Sequence, residues 1–247
     1  MQVSFFEEFP IKSNLEKLKL VSWPTKVYLA AKSMKEFNKI KKKIKYRNKE
    51  FVYWPVLDKK EGYWISPFSR RKALLRIFKE LKDKNTPVML DLELPTRHNF
   101  WLYFWEMFSF LKNKRLIEQF IRDYSGQVYL AEYYPEGERK ERILRLLGLH
   151  YENKRLKIIK ILYHSLHNFD KEFLLRELKR GKEKFGDNYL IALGAIAAGI
   201  NENEPLLSPA QLKQDLKLAQ SLKIEEVIIF RLGGLNKRYL QALGSKL

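Results

Sequence analysis

The sequence contains no cysteine among its 247 residues. This absence excludes disulfide scaffolds, zinc sites built from thiolates and cysteine nucleophiles. A metal ion could still be held by histidine and carboxylate side chains. The chain also lacks any long proline-, glycine- or serine-rich tract, so we expect a folded protein rather than a disordered one.

Long hydrophobic runs are missing as well. The longest candidate, Tyr189 to Ile200, is too short to cross a membrane. The first ten residues, MQVSFFEEFP, lack the basic segment, the apolar core and the small-residue cleavage site of a secretory signal. We therefore expect a cytoplasmic protein with no membrane partner.

Negative charge is scarce, since 48 Lys and Arg outnumber 29 Asp and Glu, for a formal net charge of +19. Such a surplus favours anionic partners such as nucleic acid. However, the cations of Lys39–Lys49 and Ser69–Lys84 are interspersed with apolar residues at helical spacing, which is typical of solvated helix faces. We expect these cations to lie on solvated helix faces. A non-catalytic, basic nucleic-acid-binding barrel remains the alternative outside the enzymes.

What the sequence does contain is a regular alternation of strand-like and helix-like segments. Ser208-Pro209 and Asp170 supply start signals for two of the helices. The eight predicted strands are Gln2–Phe9, Lys26–Lys32, Phe51–Leu57, Val88–Leu94, Gln127–Tyr133, Leu156–His164, Tyr189–Ala195 and Glu225–Leu232.

Strands that alternate with helices form right-handed βαβ units around a parallel sheet. Eight such units in about 250 residues match an α/β protein of the (β/α)8 TIM barrel class, so we assign residues 1–247 to one barrel domain. An open doubly wound sheet would carry a glycine-rich turn after its first strand, and the corresponding turn, FPIKSN, has no glycine. In a barrel, the active site lies at the carboxyl ends of the strands.

Two carboxylates lie at that end of the fourth predicted strand, PVMLDLELP. Side chains alternate between faces, so Asp91 and Glu93 share one face and Leu90 and Leu92 the other. Burying an isolated carboxylate is costly, and a pair therefore needs a wet cavity, a cationic partner or a catalytic reason. We expect Asp91 and Glu93 to point into the barrel opening as catalytic groups.

The same alternation predicts further polar residues near this opening. Glu8 and Glu132 are additional candidate catalytic carboxylates. The candidate substrate-binding residues on or beside strands are Glu7, Lys32, Lys160, His164 and Arg231. An ion-pair network without catalytic function is the alternative interpretation of this set.

Aromatic residues follow several of the predicted strands. Trp54, Tyr63 and Trp64 lie in or beside the segment after strand three, and Tyr133 ends strand five. Aromatic faces around carboxylates suit stacking against sugar rings, so we expect these four to bind substrate. After strand four come His98, Trp101 and Trp105, of which the tryptophans fit the buried stripe of a helix.

With Asp-x-Glu ending strand four and FFEEFP ending strand one, the sequence resembles glycoside hydrolase barrels of families 18 and 25, the chitinase-like and lysozyme-like enzymes. The longer Asp-x-x-Asp-x-Asp-x-Glu signature of chitinases is absent. The resemblance implies that Glu93 is the proton donor and that Asp91 orients a substrate amide or stabilises the cationic intermediate. It also implies a small-molecule or oligosaccharide substrate. Glycoside hydrolysis uses two carboxyl groups, one of them protonated.

Two other enzyme classes fit some of the same residues. Glu93, Glu132 and His164 could bind a divalent metal, as in barrels that resemble xylose isomerase and its epimerase relatives. Lys160 could form a Schiff base, although pairing with Glu132 would explain a buried lysine equally well. We expect no cofactor, with a divalent metal as the possible exception. The sequence leaves the substrate and the oligomeric state open.

Overall fold

The computed structural model describes residues 1–46, 48–95, 107–133, 137–167, 169–200, 202 and 204–244. Eight strands follow one another in chain order around a closed barrel. They are β1 (Gln2–Glu7), β2 (Thr25–Ala31), β3 (Lys49–Pro55), β4 (Val88–Asp91), β5 (Val128–Tyr133), β6 (Lys157–Ile161), β7 (Tyr189–Gly194) and β8 (Glu226–Phe230). The predicted (β/α)8 TIM barrel is confirmed.

Helices connect the strands in the described part of the chain. The α-helices are α1 (Lys12–Leu15), α2 (Met34–Lys43), α3 (Arg71–Leu81), α4 (Phe110–Asp123), α5 (Glu138–Leu146), α6 (His164–His167), α7 (Lys171–Phe185), α8 (Pro209–Ser221) and α9 (Lys237–Leu243). Short 3-10 turns cover Glu16–Leu20, Lys59–Glu61, Met107–Ser109, Gly186–Asn188 and Leu232–Gly234. No described helix is long and apolar enough to cross a membrane.

The contacts group the chain into two compact units, neither of which is a continuous segment. The first comprises Met1–Ala30, Ile40–Val52 and Ile158–Leu247. Within it, β1 pairs in parallel with β2 and β8, and β7 pairs in parallel with β6 and β8. The second comprises Ala31–Lys39 and Tyr53–Lys157, in which β4 pairs in parallel with β3 and β5. The assignment of 1–247 to one domain stays a prediction.

The helices bury one face and expose the other, as their apolar spacing predicts. In α3, Leu74, Ile77 and Leu81 are buried, whereas Lys72 and Lys79 are exposed. The lysines at the carboxyl end of α2 are exposed as well. These lysines therefore lie on exposed helix faces, and the choice between a solvated surface and an anionic partner stays a prediction.

The two predicted helix starts are also confirmed. The Asp170 carboxylate accepts a hydrogen bond from the Phe173 N–H at 2.6 Å, at the beginning of α7. The Ser208 hydroxyl oxygen accepts one from the Gln211 N–H at 3.1 Å, directly before the proline that begins α8. Each bond satisfies a backbone donor that has no partner within the helix.

Seven of the eight strands end one to three residues earlier than the sequence predicts, among them the two that were predicted to hold Glu93 and His164. β4 ends at Asp91, so Glu93 lies just beyond it, and β6 ends at Ile161. After β6, the Leu166 N–H bonds to the Tyr163 carbonyl, and His164 belongs to the short helix α6. The predicted position of His164 on the inner face of a strand is therefore wrong.

Candidate active site

Glu93 lies at the carboxyl end of β4, as predicted. The Leu92 N–H donates to the Ala131 carbonyl at 2.8 Å, which keeps the chain beside β5 up to the residue before Glu93. The Trp64 indole Nε1–H donates to Glu93 Oε2 at 2.7 Å, and the Tyr133 hydroxyl donates to the same oxygen at 2.9 Å. Three of the predicted site residues therefore meet at one carboxyl group.

Desolvation raises the pKa of Glu93, while the hydrogen bonds from Tyr133 and Trp64 lower it to a smaller extent. Both donors are neutral, and both converge on Oε2. Oε1 accepts no hydrogen bond from the described residues. This arrangement favours the protonated carboxyl and leaves one oxygen to carry the proton.

The loop between β3 and α3 positions the indole of Trp64. The Leu57 N–H bonds to the Tyr63 carbonyl at 2.8 Å, and the Ile65 N–H bonds to the Asp91 carbonyl at 3.0 Å. The first bond closes the loop on itself just after β3, and the second ties the loop to the end of β4. The turn starts at Gly62, whose φ of +118° disfavours a side chain.

A buried asparagine of α4 fixes the far side of this loop. The Asn113 Nδ2 donates to the Pro67 carbonyl at 2.9 Å and to the Ser69 carbonyl at 3.0 Å. Ser69 Oγ in turn donates to the Trp64 carbonyl at 2.7 Å. We did not predict Asn113 from the sequence. The signal is its place in the buried stripe of α4, with Ile117, where an apolar residue would be expected.

The predicted aromatic residues are less accessible than expected. Trp54, Tyr63 and Trp64 are 3%, 6% and 8% exposed, and the rings of Tyr63 and Trp64 lie 4.0 Å apart between centroids. Asp91 is also buried, at 6% exposed. The loop folds against the end of β4, so the tryptophan supplies a hydrogen-bond donor more than a stacking surface. His98, Trp101 and Trp105 lie outside the described residues.

Glu132, predicted as a further catalytic carboxylate, belongs to a different cluster from Glu93. Neighbouring residues of a strand point to opposite faces, and Tyr133 is the one that reaches Glu93. Glu132 instead contacts His150 Nδ1, at 3.0 Å from Oε1 and 2.9 Å from Oε2. Both of these side chains are fully buried, so Glu132 and His150 form an internal pair.

The other ring nitrogen of His150 faces two more carboxylates. Nε2 lies 3.2 Å from Glu152 and 3.6 Å from Glu141. Within the described ranges, His150, Glu141 and Glu152 form a group whose ligand atoms lie close enough together to hold a metal ion. The Arg145 guanidinium already lies 2.8 Å from Glu152 and 3.5 Å from Glu141. The cluster is thus charge-compensated by a cation. The predicted metal set of Glu93, Glu132 and His164 does not form such a group.

Glu7 and Arg231 are engaged with each other and with the backbone. The Glu7 carboxylate accepts hydrogen bonds from the Phe9 N–H at 2.8 Å, the Gly233 N–H at 2.7 Å and the Asn14 amide at 3.1 Å. Arg231 Nη1 lies 3.4 Å away, and its Nε donates to the Ala198 carbonyl at 2.7 Å. Burial raises the pKa of Glu7, against the lowering effect of Arg231. These contacts indicate a structural role rather than the predicted substrate binding.

The remaining predicted residues have partners of other kinds. Lys32 is exposed after β2, and its Nζ donates to the Asp58 carboxylate at 2.5 Å, which raises the pKa of Lys32. The buried Lys160 ammonium lies 6.0 Å from the ring centroid of Phe185, the last residue of α7. The predicted place of Lys160 at the barrel opening stays a prediction. Glu8 is buried beside Gly199.

No protein family and no curated protein matches the sequence. Solved structures do share the fold. The glycoside hydrolase domain of PgaB (BpsB) from Bordetella bronchiseptica is 11% identical with a TM-score of 0.57, over 98% of this chain and 97% of that one. A family 18 chitinase from Pseudoalteromonas aurantia is 8% identical with a TM-score of 0.56, over 100% of both chains. A xylose isomerase domain protein from Planctomyces limnophilus is 10% identical with a TM-score of 0.57, over 98% and 93%.

The fold of this chain is thus that of glycoside hydrolase barrels, and an isomerase-type barrel shares it equally. At such identities the similarity establishes the fold and does not select a reaction, because one barrel architecture supports many chemistries. The choice among them has to come from the side chains at the end of β4.

Proposed function

We propose that the protein hydrolyses a glycosidic bond in a carbohydrate or glycoconjugate, with Glu93 as general acid. The observation that carries the proposal is the carboxyl group of Glu93 just after β4, where two neutral donors from the described residues bond to one of its oxygens. A general acid must hold its proton near neutral pH, and desolvation raises the pKa of a carboxyl group toward that state.

The reaction step follows from this geometry. The proton on Glu93 Oε1 passes to the glycosidic oxygen as the bond from that oxygen to the anomeric carbon breaks. Water then adds its hydroxyl to the anomeric carbon, and its remaining proton returns to Glu93. We assign to Asp91, two residues earlier, the stabilisation of the positive charge that develops on the sugar ring.

In this proposal, Trp64 and Tyr133 stabilise the negative charge that Glu93 acquires during the reaction. When the carboxyl loses its proton, the hydrogen bonds at Oε2 become charge-assisted and therefore stronger. They compensate part of the desolvation cost at the moment the carboxylate forms. The same two bonds keep the group in one orientation, so that Oε1 faces the leaving oxygen.

The experiment compares leaving groups. Wild type and Glu93→Gln would be assayed on a panel of glycosides with 2,4-dinitrophenyl leaving groups, and on matched methyl glycosides or oligosaccharides. Poor leaving groups need the proton, so we expect Glu93→Gln to lose roughly a hundred- to ten-thousand-fold on them. On dinitrophenyl glycosides, which need no protonation, the loss should be much smaller.

Glu50→Gln is the matched control, because Glu50 is an exposed glutamate on β3. It should leave both classes of substrate unaffected. If wild type hydrolyses no glycoside in the panel, or if Glu93→Gln loses the same factor on good and poor leaving groups, Glu93 is not the general acid of a glycosidase.

A further inference from the structure

The group of Glu141, His150 and Glu152 belongs to the second compact unit, and the proposed hydrolysis uses none of its residues. Glu141 lies in α5, and the other two lie in the segment between α5 and β6. One ligand atom from each of the three residues lies within 4.8 Å of the others. Residues that are separate in the chain are therefore brought together around one small volume.

The buried Glu132 carboxylate determines which nitrogen of His150 is available. Its Oε1 and Oε2 lie 3.0 Å and 2.9 Å from Nδ1, and a carboxylate only accepts hydrogen bonds. Nδ1 therefore carries a hydrogen, and in the neutral imidazole the lone pair is on Nε2. A histidine that binds a metal through one nitrogen typically donates to a carboxylate or carbonyl through the other. Glu132 orients His150 in this way.

His150 Nε2 faces the two other carboxylates. It lies 3.2 Å from Glu152 Oε1 and 3.6 Å from Glu141 Oε1. A lone pair and two carboxylate oxygens repel one another unless positive charge lies between them. Ligand atoms that are about 2.1 Å from a tetrahedral zinc ion lie about 3.4 Å from one another. The two observed distances thus fit ligands of a single ion, and a proton on Nε2 is the alternative source of the charge.

Positive charge already lies against this group. Nη2 of Arg145 is 2.8 Å from Glu152 Oε1 and 3.5 Å from Glu141 Oε1, the same two oxygens that face His150. The Arg145 and Glu152 side chains are 53% and 40% exposed, whereas the His150 side chain is fully buried. A cation from solvent therefore reaches the buried imidazole by way of two exposed side chains, and it competes with the guanidinium for their oxygens.

A cavity of about 420 Å³ adjoins the group and has His150, Glu152 and Arg145 in its lining. Zinc sites with three protein ligands keep a fourth position for water or for another molecule. The cavity provides the room for that position.

We propose that Glu141, His150 and Glu152 bind a divalent transition-metal ion, for which zinc is the best match, and that Glu132 holds the histidine in its binding orientation. One imidazole nitrogen with two carboxylate oxygens suits zinc better than magnesium or calcium, which prefer oxygen ligands alone. The ion joins α5 to the segment before β6, and through His150 and Glu132 to β5. This site is independent of the glycosidase proposal.

The test is isothermal titration calorimetry of the full chain with zinc chloride, after treatment with EDTA and dialysis. We expect one ion per chain with a Kd of about 10 nM to 10 µM. Added zinc should also raise the Tm, because the ion binds the folded state. Magnesium chloride at the same concentrations should do neither. If zinc binds more weakly than about 100 µM, the proposal is wrong and the group is an ion-pair network around a protonated His150.

Variants then separate a metal site from such a network. Glu152→Gln changes an exposed side chain and should weaken zinc binding at least about ten-fold, and Arg145→Met removes the competing cation and should strengthen it about three- to ten-fold. Glu118→Gln is the matched control, since Glu118 is an exposed glutamate that lines the same cavity outside the group. Binding that survives Glu152→Gln, falls equally in Glu118→Gln or weakens in Arg145→Met would overturn the proposal.

A crystal grown with zinc locates the ion directly. Diffraction data collected at the zinc absorption edge should show an anomalous peak about 2.0 to 2.1 Å from His150 Nε2. A peak at other residues only would identify an adventitious surface ion and contradict the assignment.

Discussion

Glu7 and Glu93 are two glutamates near the carboxyl ends of strands, and burial raises the pKa of both. Their partners differ. Glu7 uses both oxygens, to accept from two backbone N–H groups and the Asn14 amide, with the Arg231 guanidinium 3.4 Å away. Glu93 uses one oxygen for two neutral donors. The comparison teaches that a raised pKa alone does not mark an active site. The number and charge of the partners separate a structural carboxylate from a candidate acid.

The largest effect on stability is expected from the residue that fixes the Trp64 loop. Asn113→Ala removes the donor for two buried carbonyls, and we expect a loss of about 2–4 kcal/mol in the free energy of unfolding, measured with urea. The proposed glycosidase activity should also fall, because the Trp64 indole would no longer hold Glu93 in place.

Asn14→Ala is the counterpart on the Glu7 side, since Asn14 donates to Glu7 and to the Phe9 carbonyl. It should reduce stability without changing the rate per folded molecule. Equal effects of the two variants on that rate would remove the distinction between the two glutamates.

Replacing Glu93 or Glu7 by its neutral isostere, glutamine, should give the next largest difference in stability between the two positions. In Glu93→Gln, one carbonyl oxygen can still accept from both Trp64 and Tyr133, so we expect stability to change by less than about 1 kcal/mol. In Glu7→Gln, the amide NH2 must replace an accepting oxygen, facing either the Gly233 N–H or the donors at the other oxygen. This should cost about 1–3 kcal/mol in urea unfolding. The reverse order of the two losses would contradict the assignment of roles.

The hydroxyl of Tyr133 should tune the acid by a smaller amount. Its hydrogen bond favours the ionised form of Glu93 and lowers the pKa. Tyr133→Phe removes it, so the pKa of Glu93 should rise further. Activity requires the protonated acid and falls as pH passes through that pKa, and the alkaline limb of kcat/KM against pH should therefore move to higher pH. A limb that stays in place or moves to lower pH would show that this limb reports another group.

The smallest expected effect concerns the pH dependence of stability. Because the pKa values of Glu7 and Glu93 are raised above 4.5, the native state binds more protons than the unfolded state from about pH 4.5 up to the raised values. Through this window, both groups make the free energy of unfolding fall as pH rises. Each Glu→Gln substitution should reduce that slope, as measured by urea unfolding at several pH values. An unchanged slope would mean that the substituted carboxyl titrates normally.

The sequence predicted the eight strands and the carboxyl group at the end of β4, because apolar periodicity and strand alternation act over a few residues. It did not predict which groups meet there. Glu132 was expected as a catalytic carboxylate at the barrel opening and instead contacts His150, whereas its neighbour Tyr133, on the other face of the strand, reaches Glu93. Asn113 was missed although it interrupts a buried helical stripe. A polar residue in such a stripe is a usable signal, but its partners are distant in the chain and come only from the packing.

The most direct test of the central claim is the protonation state of Glu93 itself. Side-chain carboxyl carbons can be followed by 13C NMR as a function of pH, and the Glu93 signal assigned as the one that Glu93→Gln removes. We predict that this carboxyl titrates clearly above the ordinary glutamate value of 4.5. A Glu93 signal that titrates at or below that value would show an ionised carboxylate at neutral pH and would contradict its role as the general acid.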